Sequence, residues 1–466
     1  MEYAGESGVS LRFSLQKAQG ARLPLFLFLL ADGQADICAP QHAHGVCVRA
    51  PGARLTDAAV CHAVRGLLDQ LYEELDADDM RLYLLGANEG ADGVWALLSM
   101  YPRLFAAAVA AGGWGDPYAV RTVRVTPIWS FFHPGDQPLT PQGGPRGLAD
   151  GRLMALSLRG QGHEQVRCDA WTEGDPLSRA DVQAWLLAQD RRRQLEINCI
   201  RPGLWHMEDF FRASCYLVEG PDSALLIDSG MAQVDLPAVV SRLTRLPVKL
   251  ALTHAHGDHY GNAEGFDPIY MHPLDIESLP YQIERFKRFH PGGASERLDW
   301  IHRPLPVRDG DRIDLGGGVS FEVLELPGHT PGSVVFACES LGLMFTGDAM
   351  GSGEIVLLYG AREALEAVVS DYRLHLRRFI ERVEGMREMT FFGGHRMQDA
   401  SCALFEQERI LSGGVSYYNP LCLQVARDME ALCGEILAGR CLPEESEDAL
   451  TFKDRRAGIV YRLGAL

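Results

Sequence analysis

The sequence predicts an α/β chain built as two successive units, and three observations carry that expectation. Apolar runs of strand length alternate with stretches of helical periodicity over the first 190 residues. A second series of apolar runs follows from about residue 195, several of them ending where glycine and histidine or aspartate begin. The chain of 466 residues is longer than one hydrophobic core ordinarily serves, and each unit is large enough to bury its own.

In residues 1–190, Leu23 to Leu30 reads as a buried strand and Asp57 to Leu75 as an amphipathic helix. Arg81 to Leu85 is a strand, followed by Gly86-Ala87-Asn88-Glu89-Gly90 and a helix through Met100. Phe105 to Ala111 and Pro127 to Phe132 are further strands, and Asp181 to Gln189 is a closing helix. Strands alternating with helices imply a parallel, doubly wound sheet.

The second unit carries the most concentrated chemistry in His254-Ala255-His256-Gly257-Asp258-His259, directly after the strand-like run Leu246 to Thr253. His254 and His256 alternate and project to one side of an extended loop. Asp258 and His259 supply a carboxylate and an imidazole to the same small volume. The pattern suits two neighbouring cations. Imidazole favours zinc, iron or nickel, and carboxylate favours harder ions such as manganese. Three more candidate ligands follow, each at the end of an apolar run: His329 in Pro327-Gly328-His329-Thr330-Pro331-Gly332, Asp348 in Thr346-Gly347-Asp348, and His395 in Gly393-Gly394-His395. Strand ends present side chains to a shared cleft from a rigid scaffold. Upstream, Asp228 ends the run Ala224 to Ile227 and is placed to orient a metal-bound imidazole through its other ring nitrogen.

On these motifs, residues from about Leu195 to Ser412 resemble the metallo-β-lactamase superfamily. The resemblance implies a four-layer αβ/βα sandwich with metals at the rim between two sheets. It implies that His254, His256 and His329 hold one ion, that Asp258, His259 and His395 hold a second, and that Asp348 bridges them. It further implies two divalent ions, zinc first with iron or manganese as alternatives, and a hydrolytic hydroxide oriented by Asp258 as the catalytic carboxylate. The expected substrate is a small ester, thioester, lactone or phosphodiester. True β-lactamases lack the carboxylate that Asp348 supplies. Flavo-diiron oxidoreductases carry Glu where this chain has His256. Quorum-quenching lactonases carry Tyr where it has Gly351. Glyoxalase II shares the ligand set and a Gly-His-Thr-Pro-Gly segment, but its basic helical C-terminal domain has no clear counterpart. The alternative is a binding or regulatory protein with a structural or vestigial metal site, in which open coordination positions would serve nothing.

Residues from about 20 to 190 are similar to α/β-hydrolases of the polyhydroxybutyrate-depolymerase-like esterase kind, on Asp76 to Gly90, Tyr101 to Ala111, Ile128 to Asp136 and Asp169-Ala170-Trp171. The elbow motif of that fold is G-x-S-x-G. Here Asn88 replaces the serine between Gly86 and Gly90, Cys168 stands where the family has histidine, and Asp136 matches the triad acid. An amide has no hydroxyl to attack a carbonyl, and neither His133 nor His163 as a substitute base serves a missing nucleophile. The expectation is a catalytically inactive domain.

The formal net charge of −18, with no Lys/Arg-rich stripe, argues against nucleic acid as a partner. Met1 to Ser10 lacks a signal-peptide pattern, and Leu23 to Ala31 is too short to span a bilayer. Cysteines without paired spacing are expected as reduced thiols, and the expected location is cytoplasmic, with a small-molecule substrate, no membrane partner and room for a homo-oligomer. Arg191 to Arg193 reads as a solvated linker. Residues 275–312, with His290, His302 and several aromatics, suit either a lid or a packed helical pair. Tyr260 and the first-hairpin residues Trp205, His206 and Met207 are expected near substrate, and His272 is expected behind the site or at the surface. Residues 413–466 are expected to form a helix and strand that pack on the metal domain.

Overall fold

The computed structural model describes residues 1–5, 8–135, 148–289, 300–351, 353–395, 421–454 and 457–464. Asp136, His290 and the boundary at Ser412 lie outside these described residues. The chain divides after Gln194 into two compact units.

The first unit is an eight-stranded sheet. Its parallel core runs from His44–Arg49 through Leu23–Leu29, Ala77–Ala87, Ala107–Ala111 and Ile128–Phe132 to Val166–Ala170. Glu2–Ala4 and Ser10–Gln16 add an antiparallel edge. The near-continuous apolar runs reflect burial on both faces. Leu25, Leu27 and Leu29 join one core with the helices Ala58–Leu75 and Glu89–Met100, while Phe26 and Phe28 join another with Leu177, Val182 and Leu186. The sequence reading misses the helix Gly151–Gly160, which opens on an Asp150 side chain accepting from the amides of Arg152 and Leu153. Arg192 is not merely solvated, because it pairs at 2.8 Å with both Asp78 and Asp190.

Asn88 lies between the strand Ala77–Ala87 and the helix Glu89–Met100 at φ 51°, ψ −116°. A sharp strand-to-helix elbow forces this positive φ, and the packing around it leaves no room for a side chain at Gly90, where a Cβ would stand 2.1 Å from the Leu29 carbonyl oxygen. His133 is the imidazole near Asn88: a Cβ on Gly112 would meet Asn88 Oδ1 at 3.1 Å and His133 Nε2 at 3.5 Å. His133 stacks on Trp171. Cys168 instead directs its thiol to the Gly151 carbonyl, and buried His163 donates to the Thr126 carbonyl from Nε2, so both serve packing.

The second unit faces two sheets against each other. A seven-stranded sheet runs in the order Leu305–Pro306, Ile269–Met271, Val248–Ala251, Ala224–Ile227, Ser214–Glu219, Leu204–Asp209, Leu195–Arg201. A five-stranded sheet runs in the order Arg312–Asp314, Ser320–Glu325, Val334–Cys338, Leu343–Gly347, Thr390–Gly393. Tyr216, Leu225 and Ile227 from the first interlock with Phe321, Phe336 and Phe345 from the second. The helices Leu236–Leu243 and Pro273–Phe289 cover the outer face of the larger sheet through Val240, Leu279 and Ile283. The helices Leu365–Glu384 and Leu423–Leu437 cover the outer face of the smaller one through Tyr372, Leu376, Val425 and Met429. The result is a layered α/β sandwich, two facing sheets with helices on both outer faces. The tail holds more strand than its sequence suggests: Ala449–Asp454 and Ala457–Leu463 form a hairpin, and the second of these pairs in parallel with Gly353–Gly360.

Among the described residues no helix is long and apolar enough to cross a membrane. The described cysteines are free thiols.

Candidate metal centre

The strands of both sheets end at one rim, and the chemistry of the site follows from what leaves those ends. Val248–Ala251 runs into His254 and His256, and a single helical turn, Gly257–Tyr260, carries Asp258 and His259. Ser320–Glu325 leads to His329, Leu343–Gly347 to Asp348, and Thr390–Gly393 to His395.

These side chains meet in three overlapping trios: His254, His256 and His329; His254, His259 and Asp348; Asp258, His259 and His395. Within each trio the potential ligand atoms lie within 4.8 Å of one another. Asp348 is central, with Oδ2 3.3 Å from His395 Nε2, 3.5 Å from His329 Nε2 and 3.6 Å from His259 Nε2. It therefore faces imidazoles from both of the trios to which it does not itself belong. Asp258 Oδ2 lies 3.2 Å from His395 Nε2.

The donors are oriented from behind. Asp228 Oδ2 accepts from His259 Nδ1 at 2.9 Å and from the Thr253 hydroxyl at 2.8 Å, and its Oδ1 accepts the Thr253 amide at 2.8 Å. With its proton committed to Asp228, Thr253 Oγ1 is the acceptor for His254 Nδ1 at 3.0 Å. His395 Nδ1 donates to the Arg212 carbonyl at 3.2 Å. Holding the far nitrogen as a donor leaves the near one as a lone pair. The Nε2 atoms of His254 and His259 are buried without a hydrogen-bond partner, a costly condition that a cation would relieve. Burial and the neighbouring His329 push His256 down to about 3, and burial with the surrounding imidazoles holds His254 well below its ordinary range. Against burial, His395 and His259 hold Asp348 well below the usual carboxylate range, and His259 and His395 do the same for Asp258. Against burial, Asp258 and Asp348 in turn hold His259 well above its ordinary range and His395 up to about 10. Carboxylates and imidazoles thus face one another at the spacing of cation ligands, a donor set that suits divalent cations. Space is tight: a Cβ on Gly394 would stand 2.3 Å from Asp348 Oδ1 and 2.9 Å from His259 Cε1.

Two supporting carboxylates escaped the sequence reading. Asp275, buried at the start of the helix Pro273–Phe289, accepts from the Ala255 amide at 2.7 Å, the Gly332 amide at 2.8 Å and the Thr330 hydroxyl at 2.9 Å. It ties the His254–His259 loop to the His329 loop. Asp209 accepts from the amides of Phe211, Ala213 and Met231, and burial pushes its carboxyl up to about 6. Acidic residues near a strand end and a helix start are the only sequence signals for either, and many solvated acids share them.

A cavity of about 290 Å³ opens over the cluster, and Phe211, Met231, Gln282, Arg285, Phe286 and Tyr359 form its remaining walls. Several expected contacts lie elsewhere. His206 is buried, stacks on Tyr216 and bonds Ser214, and Met207 is in the core. The strand Leu204–Asp209 has neighbours on both sides and cover on both faces, so the hairpin reaches the cavity through Phe211 instead. Tyr260 packs beneath, against Trp300 and Phe286. His272 is buried and meets Glu325 at 3.0 Å. Within residues 275–312, the stretch up to Phe289 belongs to a packed helix, and Trp300 is core.

Residues 209–395 match the family described as the metallo-beta-lactamase superfamily. Human acyl-coenzyme A thioesterase MBLAC2 is 26 % identical over 211 residues, spanning 39 % of this chain and 73 % of that protein. Hydroxyacylglutathione hydrolase GloC of Haemophilus influenzae is 31 % identical over 183 residues, spanning 36 % of this chain and 80 % of that protein. The crystal structure of a thermostable esterase aligns with 41 % of this chain and 62 % of its own, at 20 % identity and a TM-score of 0.33.

Proposed function

The chain belongs to the metallo-β-lactamase superfamily and is an enzyme of it, and from that premise we propose that it is a dinuclear metal-dependent hydrolase of small thioesters or esters. The observation that carries this reading is the convergence of His254, His256, Asp258, His259, His329, Asp348 and His395 below an open cavity. The first trio would hold one ion, Asp258, His259 and His395 the other, and Asp348 both. Such ions, when bound, would supply a hydroxide near neutral pH and a Lewis acid for the scissile carbonyl. Zinc fits the imidazole-rich set, with iron or manganese as alternatives.

The chain's own part is positioning and proton handling. Asp258, ionised beside His259 and His395, accepts a hydrogen bond from the attacking water and directs it at the carbonyl. Phe211, Met231 and Phe286 keep the acyl group out of bulk water. Thioesters lead the substrate list because relatives of this chain include an acyl-coenzyme A thioesterase and a hydroxyacylglutathione hydrolase. Zinc-loaded protein should turn over a thioester from a panel that also holds a lactone and a phosphodiester, and lose that turnover to a chelator. Chelator-resistant hydrolysis would reject the reading.

For the first unit we propose an esterase-like domain without esterase activity. Asn88 keeps the strained elbow but offers no nucleophile. Asn88→Ala is expected to leave hydrolytic rates unchanged, and fluorophosphonate probes are expected not to label the protein. Labelling abolished by one substitution in this unit would make it a second active site.

A further inference from the structure

We propose that Arg285 is the substrate-anchoring residue of the cavity, and that the substrate carries a carboxylate remote from its scissile bond. The proposal rests on the hydrolase reading and deepens it by naming a substrate class.

Arg285 is the one Lys or Arg among the described residues lining the cavity. It stands on the helix Pro273–Phe289, with Gln282 one turn before it and Phe286 beside it, all three in the cavity wall. Its guanidinium carbon lies 5.7 Å from the centre of the Tyr359 ring. That ring lies 6.2 Å from His256 and 6.2 Å from His329, centre to centre. Arg285, His256 and His329 thus all stand around one tyrosine ring in the cavity wall. That spacing suits two ends of one small molecule.

The guanidinium interacts with Tyr359, but its Nη1 is buried without a hydrogen-bond partner. Nearly every other buried charge around the site has several partners: Asp228, Asp275 and Asp209 each accept three or more hydrogen bonds. A half-buried cation with an idle donor costs free energy that an incoming acceptor recovers. Arg presents a planar fork that matches a carboxylate. With a single basic side chain among the described residues of the wall, a monoanionic group is the charge that this wall matches.

The test uses zinc-loaded full-length protein and three thioesters. The butyryl thioester of 3-mercaptopropionate carries the anion on the thiol side. The glutaryl thioester of 3-mercaptopropanamide carries it on the acyl side. The butyryl thioester of 3-mercaptopropanamide is the neutral control. Arg285→Gln should raise KM for whichever charged probe wild type prefers by about tenfold or more, the loss of a charge-assisted contact. The neutral probe should stay within about twofold, and Arg285→Lys should recover part of the preference. Calorimetric titration with hexanoate and hexanamide, at equal metal content in wild type and variants, supplies a readout without turnover. Hexanoate affinity should fall in Arg285→Gln while hexanamide affinity holds. If wild type hydrolyses none of the thioesters, the hydrolase reading fails while the calorimetry still decides Arg285. Equal losses for charged and neutral probes, or no loss for either, would overturn the proposal.

Discussion

Asp258→Ala is expected to cut hydrolytic turnover by about 10²-fold or more, because ligand and water-orienting roles go together. Its carboxylate reaches His395 at 3.2 Å and His259 at 3.6 Å, and faces the cavity. The trio His254, His256 and His329 does not include it, so the variant should keep about half of the bound metal. The fold should survive, since Asp258 sits on one helical turn at the rim and not within a sheet. Circular dichroism, metal content and kcat measured together check the result. Turnover near the wild-type rate would show that the water is oriented by another group.

The second large effect concerns stability. Asp228→Ala is expected to destabilise the second unit by about 3–5 kcal/mol, the usual consequence of deleting one partner of a buried charged network. Asp228 is almost fully buried, and its loss strands the Thr253 amide, the Thr253 hydroxyl and His259 Nδ1. Its backbone also sits at φ 57°, a left-handed conformation that aspartate and asparagine tolerate better than alanine. Asp228→Asn should therefore lose less, because it keeps an acceptor and the tolerated backbone. Urea unfolding of the three proteins reads the difference as a shift in midpoint at constant slope. A midpoint unchanged in Asp228→Ala would mean that Thr253 and His259 find other partners.

The convergence of seven side chains was legible because each leaves the end of an apolar strand, and a sheet brings the ends of its strands to one edge. His254 to His259 needed only local spacing. His329, Asp348 and His395 needed only that the apolar runs before them be strands. Asp275 and Asp209 were not legible, because their work is to accept amides from loops far away in sequence, and nothing local marks an acid for that. Arg285 was hidden for a related reason. One arginine in a helix of ordinary polarity becomes informative only when its helix is seen to wall the cavity. The misplacement of His206 and Met207 has a different origin. Their place on the first hairpin of a resembled superfamily suggests contact with substrate, whereas Leu204 and Met207 enter separate cores on opposite faces of the strand. In the first unit, the strands are apolar enough to be read directly. Cys168 was matched by its position before Asp-Ala-Trp, yet the imidazole beside the elbow is His133, from the end of the neighbouring strand Ile128–Phe132.

The account stands or falls on the metal cluster. Protein purified without added metal from metal-replete cells and analysed by inductively coupled plasma mass spectrometry should hold about two divalent ions per chain. The same preparation of Asp258→Ala should hold about one. A wild-type content near zero would contradict the assignment of His254, His256, Asp258, His259, His329, Asp348 and His395 as a dinuclear hydrolytic centre.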